Sequence, residues 1–159
     1  MPAEIERKFL VKGDAWRSLA TGVAYRQGYI ASTAERTVRV RVVGEQGYLT
    51  IKGATIGISR AEFEYPIPLD DALELLKTLC DPPLIQKQRY KIEYAGLLWE
   101  VDEFEGDNQG LIIAEVELTD AKQTIALPDW IDCEVSDDPR YFNANLAKHP
   151  FNQWEKHEI

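Results

Sequence analysis

Polar and apolar residues alternate along most of this chain with a period of two. Residues 4–11 alternate charged with apolar side chains, as do 37–42, 61–65, 99–102 and 113–118. Residues 48–52 and 87–92 follow the pattern less cleanly, and 25–30 mix aromatic with polar residues. Successive side chains of a strand point to opposite faces, so these eight segments predict a mainly antiparallel sheet or barrel. Gly44-Glu45-Gln46-Gly47 and Tyr94-Ala95-Gly96-Leu97 predict hairpin turns through their glycines. Helical periodicity is rare. Residues 69–79 set Leu69, Leu73, Leu76 and Leu79 on one stripe, with Asp70 or Asp71 as cap and Pro82-Pro83 as the stop. Short helices are expected over 14–20 and 141–149, and a glycine-containing flexible loop over 52–59.

Length and composition add bounds to this pattern. A chain of 159 residues, 45% hydrophobic and 10% aromatic, is large enough for one core, so a single domain over 1–159 is expected. The net charge of −9 discourages nucleic acid and anionic membranes as partners. Leu111-Ile112-Ile113-Ala114 is too short to span a bilayer, and the first residues carry no signal-peptide core. A cytoplasmic protein is expected, as monomer or homodimer. Cys80 and Cys133 form no C-x-x-C motif and are expected to be two buried reduced thiols.

The charges change the picture when sorted by strand face. Glu4, Glu6 and Lys8 share a face, as do Arg39 with Arg41, Glu62 with Glu64, Lys87 with Arg89 and Lys91, Glu100 with Asp102, and Glu115 with Glu117. Two positions two apart would both be charged roughly 8% of the time in a chain with 28% charged residues, so the recurrence is a signal. A solvent-facing sheet explains any one pair, but like charges two apart are disfavoured unless a ligand relieves them. If eight strands close, this face becomes a lumen lined by carboxylates and basic groups. Carboxylates suit a hard divalent cation, and Arg and Lys suit phosphate oxygens.

Glu4-Ile5-Glu6-Arg7-Lys8 resembles the Glu-x-Glu-x-Lys signature of the CYTH superfamily, the triphosphate tunnel metalloenzymes. Val38-Arg39-Val40-Arg41, Leu49-Thr50-Ile51-Lys52, Arg60-Ala61-Glu62-Phe63-Glu64, Lys87-Gln88-Arg89-Tyr90, Trp99-Glu100-Val101-Asp102 and Ala114-Glu115-Val116-Glu117 are similar, in order, to its later strands. The resemblance covers essentially the whole chain. It implies an eight-stranded antiparallel closed β-barrel, a charged tunnel, with a few peripheral helices. It also implies Mg²⁺- or Mn²⁺-dependent hydrolysis of inorganic triphosphate, with nucleoside triphosphates or polyphosphate as further substrates. An adenylyl cyclase or thiamine triphosphatase is the enzymatic alternative, and a non-catalytic polyphosphate- or nucleotide-binding module the other.

On this reading Glu4, Glu6, Glu115 and Glu117 are the metal candidates, Glu115 serving either as ligand or as a brace for a basic side chain. Arg39, Arg41, Lys52, Lys87 and Arg89 form the triphosphate clamp, and Lys91 is expected beyond it. Lys8 either binds phosphate or supports proton movement. Glu62, with Lys52 beside it, orients or deprotonates the attacking water. Asp102 and Glu100 hold arginines. His149 and His157 fall outside the strand pattern and are expected to be surface or packing residues. Gly53-x-x-x-Gly57 lacks the Gly-Lys-Ser/Thr of a P-loop.

Overall fold

The computed structural model describes residues 3–154. They form nine strands: β1 (Ala3–Val11), β2 (Val23–Ser32), β3 (Arg36–Val43), β4 (Gln46–Gly53), β5 (Ser59–Ile67), β6 (Ile85–Tyr94), β7 (Leu97–Phe104), β8 (Ile112–Glu117) and β9 (Ile131–Glu134). Two α-helices, α1 (Leu69–Thr78) and α2 (Asn143–Lys148), complete the regular structure. All eight strands expected from the alternation are present; seven are extended by one or more residues, and that expected over 113–118 is shifted by one residue to Ile112–Glu117. Strand β9 was not anticipated, because four residues with one buried apolar side chain carry no readable period.

The strands run antiparallel in the order β5-β4-β3-β2-β6-β7-β8-β1, and the pairing of β1 with β5 closes the ring into an eight-stranded barrel. The closing seam is short, with Ala3, Glu4 and Ile5 opposite Ala61, Arg60 and Ser59. Beyond it, Glu6 N–H donates to the Ile58 carbonyl, and β9 takes over the free edge of β1 at Phe9 and Val11. The two-residue loop Gly44-Glu45 uses a positive φ of 59° at its glycine, as a type II′ hairpin requires. The β6–β7 turn has positive φ at both Ala95 (50°) and Gly96 (81°).

Alternation sends one side-chain set outward, and there it makes two apolar cores. Phe9, Ile92, Trp99, Val101, Ala114 and Val116 pack with Trp16, Trp130 and Ile131 on one flank. On the other, α1 lies over β3 and β4 and buries Ala72 and Leu76 against Val40. Gly47 permits this approach, since a Cβ there would stand 2.7 Å from the Cβ of Ala72. A third cluster joins Tyr29, Ile85, Phe104 and Ile113 at one end of the strands to Tyr141, Leu146 and Trp154 of the C-terminal segment. Ile85, Phe104 and Ile113 share strand parity with Lys87, Asp102 and Glu115, so this cluster fills one end of the lumen with apolar side chains.

The local expectations need correction in several places. The buried side of α1 is Ala72 and Leu76; Leu73 and Leu79 are exposed, because the sheet meets the helix about one residue off the leucine stripe. Pro68 occupies its N-cap, and Asp70 and Asp71 lie in the first turn without capping it. The expected helix over 14–20 is a single 3₁₀ turn at Ala15–Ser18, and that over 141–149 divides into a 3₁₀ turn (Pro139–Tyr141) and α2. Cys80 is buried, and burial pushes its thiol up to about 11, whereas Cys133 is exposed on β9. His157 lies outside the described residues. Among the described residues no helix is long and apolar enough to cross a membrane.

Gly47→Ala should drive a methyl into Ala72 and destabilise the protein by about 1–3 kcal/mol, the usual range for overpacking. A denaturant melt checks this, and unchanged stability would show that α1 does not need so close an approach.

Candidate functional site

The inward side-chain set lines a cavity of about 750 Å³ inside the barrel. Nine cationic and seven anionic side chains face it, a small positive excess within a chain whose net charge is −9. All eleven residues expected to act in the site share this one cavity: Glu4, Glu6, Lys8, Arg39, Arg41, Lys52, Glu62, Lys87, Arg89, Glu115 and Glu117. The β-ladder brings them together. Register sets Lys8 opposite Glu115, Lys52 opposite Glu62, Arg89 opposite Asp102 and Glu6 opposite Glu117.

Two sectors of the wall are internally neutralised. In one, the Lys52 ammonium meets Glu4 at 2.8 Å and Glu62 at 3.2 Å, which ties β4 to β1 and β5 across the closing seam. In the other, Arg89 donates to both oxygens of Asp102 at 2.7 and 2.9 Å and reaches Glu100 at 3.2 Å. The Lys87 ammonium contacts the same Asp102 at 2.8 Å and donates to Asn143 Oδ1 on α2 at 2.9 Å. Asp102 is fully buried; burial opposes its charge, yet Arg89 and Lys87 hold its pKa below the ordinary value. For Lys87, burial and the neighbouring Arg89 and Arg41 outweigh Asp102 and lower its pKa to about 7. Lys8 meets Glu115 at 2.6 Å and Glu6 at 3.4 Å. Burial opposes that ion pair as well, but mutual attraction prevails: Lys8 is raised and Glu115 held well below the carboxylate range.

The remaining charges are poorly matched, and they lie on opposite walls. On β3, Arg39 donates to Thr50 at 3.2 Å and reaches Glu64 only at 3.5 Å. Its Nε–H is buried with no hydrogen-bond partner among the described residues. A buried donor left unpaired costs roughly 1–3 kcal/mol. Arg41 has one neutral acceptor, Gln27 Oε1 at 3.0 Å, and burial with Arg39 and Arg89 lowers its pKa to about 10. On β1 and β8 the excess has the other sign. Burial and Glu115 raise Glu6 to about 7. Burial raises Glu4, and burial with Glu4 and Glu100 raises Glu117, which has no hydrogen bond or ion pair among the described residues. In the eight-stranded ring β3 stands opposite β8, so under-neutralised arginines face under-neutralised carboxylates across the lumen.

This segregation fits a polyanion on one wall and a hard cation on the other. Glu4, Glu6 and Glu117 have the oxygen donors for a cation: Glu117 is unpaired among the described residues, Glu6 meets Lys8 at 3.4 Å and Glu4 shares Lys52 with Glu62, whereas Glu115 is closely engaged by Lys8. Among the described residues no three carboxylates are gathered closely enough to enclose an ion alone, so phosphate or water oxygens would complete its coordination.

Some lining residues escaped the parity argument. Lys91, expected beyond the clamp, lines the cavity, because register sets it opposite Glu100. Arg60 also lines it, two positions before Glu62 on the same face, where a longer strand would have revealed it. Tyr25 and Asn143 also line it; they and Gln27, the acceptor for Arg41, are uncharged and so gave no signal in the sorting of charges by face. Glu100 and Asp102 hold Arg89 as expected.

A family model described as the CYTH domain matches residues 2–148. A protein of Acetivibrio thermocellus named inorganic triphosphatase is 54% identical over 156 residues, covering 98% of this chain and all of the relative. A second protein of that name, from Nitrosomonas europaea, is 36% identical over 148 residues, covering 91% of this chain and 96% of its own. A solved structure of an inorganic triphosphatase aligns with a TM-score of 0.63 at 33% identity, covering 92% of this chain and 95% of its own.

The mismatch at Glu6 has a pH signature. Its folded pKa lies above the ordinary 4.5, so the folded chain holds a proton that the unfolded chain releases between about pH 4.5 and 7. Stability from this group therefore falls as pH rises through that window. Glu6→Gln should melt higher than the parent at pH 8 in chelator-treated buffer, with the advantage fading as pH falls from 7 to 4.5. An advantage independent of pH would refute the assignment.

Proposed function

The chain belongs to the CYTH domain family, and on that premise we propose that it hydrolyses inorganic triphosphate in the barrel lumen with a divalent cation, Mg²⁺ or Mn²⁺. The observation that carries this is the opposition of under-neutralised arginines on β3 to under-neutralised carboxylates on β1 and β8. A metal-complexed triphosphate supplies both missing charges at once. The shared name of two relatives aligned over nearly their full length supports the same substrate.

Arg39 and Arg41 from β3, Lys52 from β4, and Lys87 and Arg89 from β6 clamp the phosphate chain. Arg39 Nε–H gains the acceptor it lacks. Glu4, Glu6 and Glu117 would hold the cation, which when bound offsets charge on the phosphate oxygens. Lys8 acts as a fixed cation, since Glu115 and Glu6 hold its proton firmly. Glu62, steadied by Lys52, orients a water for in-line attack on a terminal phosphorus and takes up its proton. The new P–O bond forms as the bridging P–O bond breaks, releasing orthophosphate and diphosphate. No side chain becomes phosphorylated.

Phosphate release from tripolyphosphate should require Mg²⁺ or Mn²⁺, stop with EDTA and be abolished by Glu117→Ala. Arg39→Ala should lower kcat/KM about 10- to 150-fold, the equivalent of one charge-assisted hydrogen bond of roughly 1.5–3 kcal/mol. Cyclic AMP from ATP as the main product, or tight binding of tripolyphosphate without turnover, would overturn the proposal.

A further inference from the structure

Strand β2 stands between two strands of the clamp and carries no charge on its inward face. Its neighbours bring Arg39 and Arg41 on β3 and Lys87 and Arg89 on β6, while β2 itself presents Tyr25, Gln27 and Tyr29. Tyr25 is the residue that meets both sides. Its register partners are Val43 on β3 and Lys87 on β6. The guanidinium carbon of Arg41 lies 5.1 Å from the centre of its ring, and that of Arg89 lies 4.8 Å from the same centre. Both are within the distance at which an aromatic face attracts a cation.

Tyr25 is 7% exposed, yet it belongs to none of the three apolar clusters that hold the fold together. Its burial comes from the cavity wall and the two arginines. These arginines repel each other, and each keeps a separate anchor: Arg41 on Gln27 and Arg89 on Asp102. Gln27 fixes Arg41 at its Nε, whereas Asp102 and Glu100 hold all three guanidinium nitrogens of Arg89. The ring lies within attracting distance of both guanidinium groups.

We propose that Tyr25 is a positioning residue that holds the guanidinium group of Arg41 against its ring, beside the carboxylate-anchored guanidinium of Arg89, so that both are aimed at one shared polyanion. This rests on the triphosphate reading for the identity of that anion, but the placement of the arginines precedes any ligand. Without the ring, Arg41 keeps Gln27 but loses the contact that aims its guanidinium, while Arg89 stays on Asp102 and Glu100. The protein folds, and the clamp loses its preorganisation.

The test compares Tyr25→Leu with Tyr25→Phe in the full chain, with tripolyphosphate and Mg²⁺. Tyr25→Leu should raise KM on the order of tenfold, as expected for losing cation–π attraction to two buried groups, with a smaller change in kcat. Tyr25→Phe, which keeps the ring, should restore most of that affinity. A second readout needs no substrate: the Nε–Hε NMR signals of Arg41 and Arg89 should carry ring-current shifts in the parent and in Tyr25→Phe, and lose them in Tyr25→Leu. A parental KM in Tyr25→Leu, or a Tyr25→Phe variant as impaired as Tyr25→Leu, would overturn the inference and leave the triphosphatase reading standing. If the parent does not hydrolyse tripolyphosphate, that reading fails, and the arginine signals decide the positioning role by themselves: loss in Tyr25→Leu supports it, and retention overturns it.

Discussion

Charge placed inside a closed barrel must be compensated, and that requirement organises this protein. Sixteen Glu, Lys and Arg side chains face one cavity. Away from bulk water each needs an opposite charge or a donor–acceptor partner at close range. The antiparallel register answers most of the need by setting basic positions of one strand opposite acidic positions of the next. Much of what it leaves unanswered lies on β3 on one wall and on β1 and β8 on the other, and there a ligand has something to add.

The inward charges cannot hold the barrel together by themselves, because buried ion pairs contribute little net stability. The outward set does that work. Trp99, Val101, Val116 and Phe9 on one flank, and Val40 with Ala72 and Leu76 on the other, form cores outside the barrel wall. The third cluster is inward and apolar, and it seats the C-terminal segment at one end of the lumen. From that segment Asn143 reaches Lys87 and Gln27, so a neutral amide shares the wall with the clamp.

The alternation was readable because it is local: most of the eight strands announced their two faces within four to eight residues of their own. Parity and closure together turn the eleven charged residues expected in the site toward the lumen, and their expected roles came from the family resemblance. What could not be read depends on relations between distant segments. Which carboxylate neutralises which base is set by register and side-chain reach, so Glu115 proved to be the partner of Lys8. Tyr25, Gln27 and Asn143 matter for what stands beside them, and a neutral residue carries no mark of that in its own position. The leucine stripe of α1 misled by about one residue because the sheet, not the helix, decides which side is covered.

Consider again the interleaving of inward and outward sets along each strand. Arg39 and Arg41 alternate with Val38, Val40 and Val42, and Glu115 and Glu117 with Ala114 and Val116. Chemistry and folding are therefore written in alternate letters of one text. An exchange at an inward position can retune ligand selectivity without disturbing the outer cores, so such a lineage can diversify its reactions cheaply. The insertion or deletion of one residue within a strand is another matter. It would exchange the two alphabets beyond that point, turning valines into the cavity and arginines into the core. Evolution of this architecture is free to substitute within its strands and is held to their reading frame.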